Sequence, residues 1–125
     1  MNGIKLRGLG RCVPAQSVTN DDLAKTVDTS DAWITARTGI RSRRRCTEET
    51  HTELCVTAAR RALAQAGITP ADIGACIVAT VSADTIVPSA ACMLQRDLGM
   101  PEDTPCFDLN AACTGFIYAL HTMEC

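Results

Sequence analysis

The chain has 125 residues, a formal net charge of −2 at neutral pH, 46% hydrophobic and 21% charged residues, and only 3% aromatics. That balance suits a globular domain with an aliphatic core, and it excludes a disordered chain and a general nucleic-acid binder. No stretch approaches the roughly 18 apolar residues of a membrane span and the first residues carry no apolar leader core, so the expected location is cytoplasmic.

The elements follow in chain order. Ile4 to Leu9 reads as a short strand, closed by Gly10 and Pro14. Thr19-Asn20-Asp21-Asp22 is a helix start, with a capping hydroxyl and acids in the first turn. Ser30-Asp31 opens a second short helix that carries Trp33 and Arg37 and ends at Gly39. Ile40 to Arg45 reads as a short exposed strand. Thr50 and Glu53 have the spacing of a capping box. After it, Leu54, Ala58, Ala62 and Ala66 recur every four residues and mark a helix face that Gly67 terminates. Thr69-Pro70 opens a brief helical turn. Cys76 to Ala79 is a continuous apolar run, as in a strand covered on both faces. Pro88-Ser89 leads into a helix through Leu98, ended by Gly99. Cys106 to Leu109 is the last strand, and Thr114 to Cys125 the last helix. Alternating strands and helices predict a parallel α/β sheet. The last helix is apolar all round, which calls for burial on every side. The other elements supply cover for one side only.

Eight cysteines stand at 12, 46, 55, 76, 92, 106, 113 and 125. With no secretion signal and no C-x-x-C pair, a disulfide scaffold and a zinc site both fit poorly. Seven of them read as small buried hydrophobes. Cys113 differs, because the run Phe107 to Phe116 is a strand, a tight turn and a helix start with the cysteine at the junction. Free N–H groups at a helix N-terminus favour a thiolate and can face an oxyanion. Ala111 and Ala112 leave room beside the sulfur, and Gly115 permits close backbone approach. Spacing alone leaves a nucleophile and a core cysteine level. The histidines supply no evident base. His121 lies roughly 12 Å down the same helix, and His51 sits in the first turn of another. A cysteine hydrolase is therefore disfavoured.

The blocks Thr19 to Leu23, Val27 to Ile34, Arg37 to Arg41, Pro88 to Cys92 and Phe107 to Phe116 carry a resemblance that runs along nearly the whole chain. The chain resembles the N-terminal part of β-ketoacyl-acyl-carrier-protein synthase III, a condensing enzyme of the thiolase-like superfamily. The resemblance implies a truncated N-terminal half of a five-layer α-β-α-β-α fold. Residues 1–125 would form one incomplete thiolase-like domain, with the last helix in its central layer. It also implies that Cys113 takes an acetyl or other short acyl group from acyl-CoA. Malonyl-acyl-carrier protein then loses CO₂ and condenses with that group to give 3-oxoacyl-acyl-carrier protein, which initiates fatty-acid synthesis.

By the same resemblance, Thr29, Trp33 and Arg37 match contacts to the CoA nucleotide. On its own, Trp33 reads as a core anchor of its helix. Val87, in the Ala83 to Pro88 loop, matches a position that reaches the acyl pocket of a partner subunit. The implied partners are acyl-CoA, acyl-carrier protein and a second copy in a homodimer. No metal or other cofactor is implied, since acyl-CoA is a substrate. Arg41, Arg43, Arg44 and Arg45 read as a solvated strand, or else as a basic run attracting CoA phosphates or an acidic carrier protein. The family's decarboxylating histidine and asparagine match nothing here, so the chain alone is expected not to condense. The alternatives are another thiolase-like condensing enzyme with a CoA-bound or specialised acceptor, and a non-catalytic CoA-binding or interaction fragment.

Overall fold

A computed structural model describes residues 3–124. They form two compact units, one of residues 13–49 and one of residues 3–12 with 50–124.

The smaller unit is organised by one polar side chain. Thr19 caps α1 (Asn20–Ala24) with a complete capping box to Asp22. Ser30 caps α2 (Asp31–Thr38) by accepting from the Trp33 N–H, and Gly39 ends it at φ 71°, where a side chain would be strained. Strand β1 (Gln16–Thr19) pairs antiparallel with β2 (Ser42–Arg45). Asn20 is 1% exposed and joins these pieces. Its amide donates to Asp31 at 2.7 Å and to the Ile40 carbonyl at 2.8 Å, and its oxygen accepts from Arg43 at 2.6 Å. Arg43 also donates to the Val18 carbonyl, and Arg44 to that of Ala15. Two arginines of the basic run are thus tied to backbone. Backbone N–H groups of Ala15 and Thr47 donate to the Glu49 carboxylate and hold its pKa down to about 2.

The larger unit is built around aliphatic packing. Helix α3 (His51–Ala66) begins with the expected capping box at Thr50 and ends at Gly67. A 3₁₀ turn (Pro70–Asp72) leads to strand β3 (Cys76–Ala79). Helix α4 (Ala90–Leu98) follows Ser89 and ends at Gly99. Strand β4 (Cys106–Leu109) pairs parallel with β3, Cys76 opposite Cys106 and Ala79 opposite Leu109. Val56, Cys76, Val78, Ala90, Ala91 and Leu94 form the core between α3, α4 and this pair. Helix α5 (Gly115–Glu124) packs on β3 and β4. Its Phe116, Ile117 and Tyr118 remain exposed, as expected for an apolar helix covered on one side.

Three expectations are corrected. Ile4 to Leu9 has no regular secondary structure and joins neither sheet. The Leu9 N–H is taken by the Gln65 side chain, and Arg61 donates to the Arg11 carbonyl. Side chains of α3 thus take up backbone groups that a neighbouring strand would pair. The buried residues of α3 are Thr52 and Val56, and the row Ala58, Ala62 and Ala66 marks a separate face, as a helix face was expected there. It is the track on which the N-terminal segment lies: a Cβ on Gly8 or Gly10 would collide with the backbone of Ala62 or Ala58. The sheet is not uniformly parallel, because β1 and β2 form a separate antiparallel ribbon, and β1 has no apolar alternation by which to read it. Strand β3 is fully covered on one face, where Cys76 and Val78 are buried; on the other, against α5, Ile77 is half-buried and Ala79 exposed. The expected end of the last helix at Cys125 lies outside the described residues.

Candidate active site

Cys113 sits where β4 turns into α5, within a 3₁₀ turn spanning Ala112–Thr114. Ala112 holds φ 44°, a left-handed conformation that costs a residue with a Cβ about 1–2 kcal/mol. Such strain persists where surrounding contacts impose it, and it clusters at functional sites. Here the Thr114 N–H and hydroxyl both donate to the Ala111 carbonyl, at 3.0 and 2.8 Å, and close the turn. The result is a sharp strand-to-helix elbow with the thiol exposed. Gly115 is buried, and a Cβ on it would lie 3.2 Å from that of Ala79. The glycine lets the elbow approach the end of β3.

The thiol opens into a cavity of about 760 Å³, walled by Cys55 and Ala58 of α3, Ile77 and Ala79 of β3, and Phe116, Ala119 and Leu120 of α5. Among the described residues its lining holds no charged side chain. Two carboxylates tie down elements of this unit. Asp84 accepts from the N–H groups of His51 and Thr52 and from the Thr52 hydroxyl, which caps α3. Those bonds, the Thr52 hydroxyl foremost, hold its carboxyl below the usual range. Asp108 accepts from the N–H groups of Ala90 and Ala91, both at 2.8 Å, and so pins β4 to the start of α4. Neither carboxylate was read as an anchor from sequence. The available signal was Asp108 itself, an acid within an otherwise apolar strand.

The other cysteines divide by environment. Burial pushes the Cys76 thiol up to about 12 and raises those of Cys55 and Cys106. Burial thus disfavours the thiolate at all three, as in small core residues. Cys46 is exposed, against expectation, because it follows the solvated end of β2. Cys125 lies outside the described residues. The described cysteines are all free thiols, and among the described residues no cluster of His, Cys, Asp or Glu is placed to hold a metal.

His121 is exposed on α5. His51 is half-buried, with its Nε2 3.2 Å from the Thr80 hydroxyl and both ring nitrogens 3.8 Å from the Cys55 sulfur.

In the smaller unit, Trp33 and Arg37 stand one turn apart on α2, with the guanidinium 5.5 Å from the ring centroid. Trp33 is 58% exposed, so it is not a core anchor. Thr29 and Trp33 share a shallow hollow of about 330 Å³ with Asp28 and Ser30. The structure therefore brings Thr29, Trp33 and Arg37 together on one surface. Val87 is 84% exposed, in a loop whose Ile86 is also exposed, and it does not line the Cys113 cavity.

No family model matches the chain. It is 49% identical over 122 residues to the β-ketoacyl-[acyl-carrier-protein] synthase III of Clostridium acetobutylicum, which spans 98% of this chain and 37% of that protein. The crystal structure of 3-oxoacyl-[acyl-carrier-protein] synthase III from Aquifex aeolicus matches with a TM-score of 0.93 at 44% identity, over 98% of this chain and 39% of that one. The chain belongs to the β-ketoacyl-acyl-carrier-protein synthase III family.

It spans somewhat over a third of the length of these synthase III relatives. The thiolase-like α/β fold expected from the sequence is thereby found. The priming β-ketosynthase of the R1128 polyketide pathway is also similar, with a TM-score of 0.87 at 38% identity over 94% of this chain and 35% of that one. Among the described residues, no helix is long and apolar enough to cross a membrane.

Proposed function

We propose that the protein is a synthase III-type acyltransferase that initiates fatty-acid synthesis. Cys113 accepts an acetyl or other short acyl group from acyl-CoA. That group is then condensed with malonyl-acyl-carrier protein, with loss of CO₂, to give the 3-oxoacyl product. The observation that carries this reading is the exposed thiol on a strained elbow, open to an uncharged cavity. Its sulfur attacks the thioester carbonyl carbon, the bond from that carbon to the CoA sulfur breaks, and CoA leaves with the proton that Cys113 gives up.

Thr29, Trp33 and Arg37 receive the CoA nucleotide in this reading. An exposed indole beside a guanidinium suits a flat, phosphate-bearing ligand. Exposure of Ile86 and Val87 supports the loop as a contact between two subunits of a homodimer. Residues 1–125 then belong to a single N-terminal thiolase-like domain of a cytoplasmic enzyme. The chain alone loads Cys113 but does not condense. Intact-mass measurement after incubation with acetyl-CoA tests this: one acetyl group is gained, and none in Cys113→Ala. Absence of any gain overturns the reading, and 3-oxoacyl product from the chain alone overturns the claim that it does not condense.

The likeness to a priming β-ketosynthase favours a second reading, in which the same loading serves a specialised acceptor. The acceptor that discharges acyl-Cys113 distinguishes the two.

A further inference from the structure

Two thiols face each other in the core of the larger unit. Cys76 and Cys106 are register partners in the parallel β3–β4 pair, so their side chains leave the sheet on the same face. Paired strands lie roughly 4.7–4.9 Å apart, inside the span of about 4.4–6.8 Å over which two Cα atoms accept a disulfide. The sulfurs also interact. Burial raises both pKa values first; beyond that, a hydrogen bond between the two thiols raises Cys76 and lowers Cys106, so the thiolate of the pair falls on Cys106. A third thiol, that of Cys92 on α4, donates to the Cys106 carbonyl at 3.7 Å, so its proton is directed at backbone. A small molecule can reach the pair from two sides. Cys106 is half-buried, and Cys76 lines a cavity of about 620 Å³ with Leu6, Ala59 and Met100. Hydrogen peroxide, little larger than water, fits such a space.

We propose that Cys76 and Cys106 are a redox modification site, a thiol pair that hydrogen peroxide closes to a disulfide across β3 and β4. The inference stands on strand register and is independent of the acyl-transfer reading. The Cys106 sulfur attacks one peroxide oxygen, the O–O bond breaks, and Cys106 sulfenic acid and one water result. The Cys76 sulfur then attacks the Cys106 sulfur, the S–O bond breaks, and a second water leaves with the Cys76 proton. The two thiols together lose two electrons, and one peroxide is reduced to two waters. Register already holds the second sulfur beside the first, so the bridge closes without re-pairing the strands. It joins residues thirty positions apart and encloses α4 in the loop, which constrains the unfolded chain. Strand β4 runs into the Cys113 elbow, so the oxidised pair also fixes the strand from which that elbow departs.

The test uses the full chain carrying Cys113→Ala, which removes the exposed elbow thiol as a competitor for peroxide. The chain is treated with hydrogen peroxide, quenched in acid and alkylated, and its cysteine linkages are mapped by mass spectrometry without reduction. The expected result is a Cys76–Cys106 link with the loss of two hydrogens. The midpoint of urea unfolding should rise on oxidation and return with dithiothreitol. Adding Cys106→Ser should abolish both the link and the shift, and adding Cys92→Ser should leave both in place. A link from Cys106 to Cys92, over-oxidation of Cys106 without any link, or no reaction at either cysteine overturns the proposal. A Cys76–Cys106 link with an unchanged midpoint overturns the claim that the bridge constrains the chain. Where Cys106→Ser does not fold, the mapped link and its reversal by dithiothreitol decide.

Discussion

The two compact units are held by opposite means. Residues 13–49 converge on Asn20, a buried amide that contacts Asp31, Ile40 and Arg43. The larger unit converges on six buried residues, Val56, Cys76, Val78, Ala90, Ala91 and Leu94, with no ion pair among them. A small unit with short helices cannot bury enough apolar surface, so a fully satisfied polar hub specifies it instead. The larger unit has an aliphatic core and uses polar groups at helix starts, where Asp84 and Asp108 take up free N–H donors. The chemistry divides the same way. The exposed Trp33 and Arg37 surface stands on the polar scaffold, and the Cys113 elbow on the aliphatic one.

Substitutions break this contrast in a definite order. Leu94→Ala removes a core side chain and should cost about 2–5 kcal/mol in urea unfolding, with α4 and the β3–β4 pair loosening together. A loss below about 1 kcal/mol would mean that the core is not the main support of the larger unit. Asn20→Ala should cost about 2–3 kcal/mol, because Arg43 and the Ile40 carbonyl lose a buried partner. Hydrogen exchange should then rise across residues 13–49 and stay unchanged at α3 and α4. Uniform change across both units would erase the distinction between them.

Asp84→Asn tests the polar contribution to the larger unit and should cost about 1 kcal/mol. The folded Asp84 carboxyl titrates below its ordinary value of 3.8, through its bonds to Thr52 first. Its stabilisation is therefore complete above that value and is lost as pH falls through the lower folded pKa. The difference between Asp84→Asn and the unaltered chain should vanish in that acid window; a difference that persists there would show that charge is not what Asp84 contributes. Trp33→Ala has the smallest expected effect on folding, within about 0.5 kcal/mol, since the ring is exposed. Adenine-nucleotide binding should weaken several-fold, consistent with about 1 kcal/mol from the indole face. Unchanged binding would remove Trp33 from the CoA site.

Much of the local structure was legible because its causes are local. Thr19, Ser30, Thr50 and Ser89 each cap the helix that the sequence assigned to them. Gly39, Gly67 and Gly99 end helices at positive φ, a conformation that side chains resist. The strands Cys76–Ala79 and Cys106–Leu109 appear as read, since a short apolar run bounded by turn residues suits a buried strand. The elbow at Cys113 was also visible in outline, from small residues between an apolar run and an apolar helix.

The remainder depended on partners far away in the chain. Ile4 to Leu9 has the pattern of a strand, yet its backbone groups meet Gln65 and Arg61 instead of a neighbouring strand. The alanine row of α3 marks a helix face in the sequence, but nothing there says that Gly8 and Gly10 lie on it. Nothing within the sequence joins Cys55 to Cys113, fifty-eight positions apart, though both line one cavity. By itself the sequence determined where helices start and stop, which residues seek burial and which cysteine stands at a turn, because hydrogen bonds and sterics within a few residues decide those. The tertiary structure alone decided which strand pairs with which, which face of α3 is occupied and by what, and what surrounds the Cys113 sulfur. Those outcomes depend on the closing of long loops and on the shape that the packed elements leave between them.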